Sequence, residues 1–83
     1  MPTFPELRAL MAKYGMNYEK MGRVINTSYA TFSKKLNCVT EFTFSDILAI
    51  RDFFVEKGED TTADKIFFDY KFTKVNERGR ETS

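Results

Sequence analysis

Eighty-three residues, 42% hydrophobic and 30% charged with a net charge of +1, suffice for one domain and not two, and a domain of that size buries only about 60% of its unfolded surface. No run reaches the roughly 18 to 20 apolar residues of a membrane span, and "MPTFPELRAL" carries an acid and two prolines where a signal peptide needs a basic start and an apolar core, so the expected location is the cytoplasm. A single cysteine and no histidine allow no internal disulfide and no usual zinc donor set, and with neither a nucleophile motif nor a phosphate-cradling glycine loop, no metal, cofactor or enzymatic activity is expected.

Leu7, Leu10, Met11 and Tyr14 follow the i, i+3, i+4, i+7 spacing of a helix face, which with Pro5 at the start and Gly15 at the end predicts a first helix over Pro5 to Tyr14. Asn17 stands as an N-cap before "YEKMGRVI", whose Met21, Val24 and Ile25 form a short apolar stripe, and a second helix is expected over Tyr18 to Ile25. Asn26 tolerates the left-handed backbone of a tight exit. Ser28 then caps a third helix whose Phe32 and Leu36, four apart, face inward. After the loop "NCVTEF", Thr43 and Asp46 make a capping box for a fourth helix over Phe44 to Glu56, with Ile47, Leu48, Ile50 or Arg51, and Phe54 spaced for burial and Gly58 beyond its end. A single turn is expected around Ala63 to Ile66, capped by Thr61 or Thr62. In "FFDYKFTKV" the aromatics Phe68, Tyr70 and Phe72 alternate with polar residues, a period of two that predicts a strand. Residues 1–68 therefore read as the domain and 69–83 as a C-terminal strand or flexible tail.

The charge is unevenly distributed. Residues 17–40 carry Lys20, Arg23, Lys34 and Lys35 against Glu19 alone, whereas residues 41–64 carry Arg51 and Lys57 against Glu41, Asp46, Asp52, Glu56, Glu59, Asp60 and Asp64. Two short helices meeting at a tight turn make a helix-turn-helix, in which the second helix presents its N-terminal residues to base edges in the major groove. With Phe32 and Leu36 committed to the core, the outer face of the third helix carries Tyr29, Ala30, Ser33 and Lys34, with Lys35 beside it. Lys34 suits guanine O6 or N7, Ser33 and Tyr29 a base edge or phosphate, and the Ala30 methyl a thymine methyl. Ser28, Lys35 and Asn37 suit phosphate oxygens, and Thr31 in the first turn belongs to the same DNA-facing set. Against this, a lysine pair also serves simply as a solvated surface, Tyr29 as a half-exposed packing residue, Cys38 as an inert loop residue, and Met11, Met16 and Met21 as core filler.

The stretch "MAKYGMNYEKMGRVINTSYATFSKKLNCVTEFTFSDILAIRDFF", with "KLN" after the third helix, "EFTFSDILAI" opening the fourth and "ADKIFF" near the end, resembles phage Cro and repressor-type helix-turn-helix domains of the xenobiotic-response-element family, small phage regulators of Gram-positive hosts in particular. The resemblance runs over Leu7 to Phe68. It implies an all-α, five-helix lambda-repressor-like bundle, a repressor acting on double-stranded operator DNA in a bacterial cytoplasm, a phosphate contact at Tyr18, and base contacts at Tyr29, Ala30, Ser33 and Lys34. Where the resembled pattern has alanine this chain has Gly22, and where it has glycine this chain has Asn26 and Cys38.

Three uses of the Phe68, Tyr70, Phe72 strand stay open: pairing across a two-fold axis to make a homodimer on DNA, packing back on its own domain, or serving another protein. The rival to DNA binding is a modulator or antirepressor that complexes another phage regulator, supported by the acidic segment and the aromatic tail.

Overall fold

A computed structural model describes residues 3–68. Five helices follow in order, α1 (Pro5–Lys13), α2 (Tyr18–Val24), α3 (Tyr29–Leu36), α4 (Phe44–Glu56) and α5 (Ala63–Ile66), and no strand occurs among the described residues. The molecule is the all-α bundle that the periodicity predicts, with boundaries within one residue of the expected ones. Of the strand expected at Phe68, Tyr70 and Phe72, only Phe68 is described, and it is exposed; Tyr70, Phe72 and the rest of the tail lie outside the described residues.

The helix starts and stops have local causes. The side chains of Asn17, Ser28, Thr43 and Thr62 accept hydrogen bonds from Lys20, Thr31, Asp46 and Lys65 N–H respectively, each satisfying a donor that the first helical turn leaves free. Thr43 and Asp46 complete a reciprocal capping box at α4. Of the two threonines expected at α5, Thr62 is the cap.

Four helices close with one device. After α1, α2, α3 and α4 the residue past the cap is left-handed, at Gly15 (φ 65°), Asn26 (φ 61°), Cys38 (φ 66°) and Gly58 (φ 100°). In each case its N–H bonds back three residues and the following N–H bonds back five: Gly15 to Ala12 O and Met16 to Met11 O, Asn26 to Arg23 O and Thr27 to Gly22 O, Cys38 to Lys35 O and Val39 to Lys34 O, Gly58 to Val55 O and Glu59 to Phe54 O. This is the Schellman closure.

Leu7, Leu10 and Met11 of α1, Met21 of α2, Phe32 and Leu36 of α3, Ile47, Ile50 and Phe54 of α4 and Ile66 of α5 share one buried core. Three aromatics outside any helix, Phe4, Phe42 and Phe67, join it. Phe4, before α1, and Phe42, in the α3–α4 loop, pack edge to face at 5.3 Å, and both rings meet Phe67, at 5.9 and 5.4 Å. Phe32 reaches the same cluster through Phe42, at 5.9 Å. Phe4 is also left-handed, at φ 53°, directly before Pro5, a conformation disfavoured both by its Cβ and by the following proline ring. Complete burial of its ring holds it there.

Candidate nucleic-acid interface

The turn between α2 and α3 spans Ile25 to Ser28, and its compactness depends on Gly22. A Cβ placed on Gly22 would lie 2.9 Å from Thr27 O and 3.0 Å from Ser28 O, inside the separation such atoms tolerate. The turn backbone rests against the glycine, and the Thr27 N–H bonds to Gly22 O at 2.7 Å. A residue that looks like a helix-weakening departure in sequence is thus the one that lets α3 fold back closely upon α2.

Around α3, at about 100° per residue, Phe32 and Leu36 define the buried direction, Ala30 and Lys34 lie on the side away from it and Ser33 lies on the flank between. Ala30 and Lys34 are exposed and Ser33 is half-buried. Lys34 makes no hydrogen bond or ion pair through its ammonium among the described residues, so its charge is available to a ligand. Tyr29 is 60% exposed, but its ring is not isolated: it lies 6.0 Å from the Tyr18 ring, which in turn lies 5.7 Å from Phe32. Tyr18 is half-buried, so the two tyrosines form an aromatic step from the core to the N-terminus of α3. An open, mainly apolar groove of about 380 Å³, lined by Met11, Met16, Asn17, Tyr18, Glu19 and Tyr29, flanks that step.

The polar members of the expected set are largely engaged with one another. Ser28 Oγ accepts from Thr31 N at 3.2 Å and donates to Thr31 Oγ1 at 3.1 Å. Asn37 Nδ2 donates to Ser33 O at 2.9 Å and to Ser33 Oγ at 3.4 Å, covering a carbonyl of the last turn. Their first effect is to hold both ends of α3; the Thr31 and Ser33 hydroxyls keep a hydrogen to donate outward.

Lys35 is placed differently from Lys34. Its Nζ lies 2.5 Å from Asp46 Oδ2 and 3.3 Å from Glu41 O, with both charged side chains only 13% exposed. Sequence reading joins Lys34 and Lys35 as a basic pair, but successive residues on a helix do not share a face. The basic character of residues 17–40 is correspondingly smaller at the surface. Arg23 pairs with Glu19 at 2.9 Å and Lys35 with Asp46, leaving Lys20 and Lys34 as the cations of this segment without an ion-pair partner among the described residues. Lys20, which sequence reading counts without assigning, sits in the first turn of α2, its N–H held by the Asn17 cap.

No helix among the described residues is long and apolar enough to cross a membrane. Comparison with protein-family models, with curated proteins and with solved structures finds no match to this chain.

Proposed function

We propose that this chain is a sequence-specific double-stranded DNA-binding regulator, in particular a Cro-like phage repressor that occupies operator sites with α3 in the major groove and so excludes polymerase. The observation that carries the reading is the outer face of α3: Ala30 and an unpaired Lys34 exposed on a helix that is capped at its start, closed at its end and butted against α2 through Gly22. Such a face is small enough at Ala30 for close approach to base edges and carries a cation where guanine O6 and N7 would lie. The Tyr18–Tyr29 step lies at the edge where the sugar–phosphate backbone would pass. Phosphate contacts supply affinity and a few base contacts selectivity, each worth about 1 to 3 kcal/mol. The repressor acts in the bacterial cytoplasm as a homodimer on DNA, on two half-sites about one helical turn apart, and no cofactor or catalytic step enters the reading.

Fluorescence anisotropy with DNA from the gene's own upstream region and with scrambled DNA, at low and physiological salt, tests it. Tighter binding to the native segment that persists at physiological salt is the expected result. Equal binding to both that vanishes with salt, or none, would turn the assignment to a protein-binding modulator. Lys34→Ala is expected to weaken native-segment binding by about 1 to 3 kcal/mol and scrambled-DNA binding by less; equal losses would reduce Lys34 to a phosphate contact.

A further inference from the structure

Lys35 occupies the last turn of α3, and what it holds is the first turn of α4. The Asp46 oxygen that accepts from Lys35 Nζ at 2.5 Å also accepts from Thr43 N at 3.0 Å, closing the capping box from which α4 starts. One carboxylate oxygen therefore ties two helices together. Glu41 O, 3.3 Å from the same ammonium, adds the connecting loop to the tie. A lysine that swung out to a phosphate would leave Asp46 in a largely buried position without its cation, a loss that an exposed phosphate contact does not readily offset.

From this geometry we infer that Lys35 is a positioning residue for DNA recognition: it fixes the tilt of α3 by locking its last turn to the start of α4, and does not itself hold phosphate. The inference rests on the DNA-binding reading and assigns a specificity role within it. An eight-residue helix is about 12 Å long at about 1.5 Å per residue, and its N-terminal end is fixed by the Ser28 cap and the α2–α3 turn. A loose C-terminal end would let the helix rock about that turn and move Ser33 and Lys34 relative to the bases. Lys34 and Lys35 then divide the work, the first facing outward and the second setting where it faces.

The test is a double-mutant cycle read by DNA binding. Lys35→Met, Asp46→Asn and the double variant are titrated, well below their melting transitions by circular dichroism, against native and scrambled DNA over a range of salt. The side-chain amide introduced by Asp46→Asn keeps an oxygen for the Thr43 N–H while removing the charge that binds Lys35. Lys35→Met is expected to cut the preference for native over scrambled DNA about tenfold, which is about 1.4 kcal/mol, with an unchanged salt slope. In the Asp46→Asn background the same substitution should change the preference less than about twofold, because the tie is already broken. Lys35→Gln, which retains an N–H donor toward Asp46 without the charge and is the milder change, should keep the preference within about threefold of wild type.

The positioning role is overturned if Lys35→Met weakens both DNAs equally and lowers the salt slope by about one, the signature of a lost phosphate contact. It is equally overturned if the substitution keeps its full effect without the Asp46 carboxylate, if Gln behaves as Met does, or if Lys35→Met changes nothing. A wild-type protein that does not distinguish native from scrambled DNA sinks the DNA-binding reading itself, and the positioning role with it.

Discussion

At the scale of single residues, Gly22 and the left-handed positions decide how closely α2 and α3 approach. Alanine at Gly22 would gain about 1 kcal/mol of helix propensity but would press its Cβ against two backbone carbonyl oxygens, at 2.9 and 3.0 Å, which cannot rotate away as a side chain would. Overpacking of this kind costs about 1 to 3 kcal/mol, so Gly22→Ala is expected to be a net destabilisation. Thermal melts followed by circular dichroism should show a lowered Tm; an unchanged or raised Tm would mean the turn backbone yields easily. Sequence alone reports only the propensity half of this balance, because a glycine in a helix does not announce the chain that rests on it. Asn26 is legible, since asparagine at the end of a short helix is a known left-handed exit. Cys38, in the same conformation, has no such chemistry and is visible only as a residue standing where a resembled pattern has glycine.

At the scale of elements, the helix boundaries are legible because their causes are local: a capping side chain at the start, a left-handed residue at the end, an apolar stripe between. What ties one helix to another is not, because it depends on partners distant in sequence. Lys13, at the end of α1, lies 2.6 Å from Glu59 in the α4–α5 loop, and Tyr14 OH is 3.5 Å from the other carboxylate oxygen. The hydrogen bond that Lys13 donates to Glu59, together with the negative charge there, raises the Lys13 pKa above the ordinary lysine value of about 10.4. A raised cation pKa means stability that is fully present below the unfolded value and is lost as pH rises through the folded one. Glu59→Gln should therefore lower the Tm at neutral pH, and the gap from wild type should shrink as pH passes about 10.4. A gap that stays constant through alkaline pH would show that Glu59 acts through packing. The Lys35–Asp46 tie is hidden for the same reason, its partners eleven residues apart in the chain, so sequence places Lys34 on the outer face of α3 with Lys35 beside it but gives no sign that Asp46 holds Lys35.

For the molecule as a whole, the aromatic cluster that Phe4, Phe42 and Phe67 form joins the segment before α1, the α3–α4 loop and the end of α5. Phe4 and Phe42 stand in no periodic stretch, and Phe67 opens "FFDYKFTKV" out of step with its alternating aromatics Phe68, Tyr70 and Phe72, so sequence patterning offers no reason to place them in the core. Phe4→Ala removes a completely buried ring while keeping the disfavoured backbone, and is expected to cost about 3 to 5 kcal/mol, a large part of the total stability of a small domain. Phe44→Ala, whose ring is 57% exposed, serves as the contrast and should change stability by about 0.5 kcal/mol or less. Equilibrium urea unfolding measures both; similar losses for the two would mean that the cluster contributes little. Phe4 and Phe67 stand near opposite ends of the described chain, yet their rings meet at 5.9 Å. During translation, then, the domain cannot seal until Phe67 has cleared the exit tunnel, and a nascent chain still tethered short of that point would have an open aromatic socket in place of a finished fold.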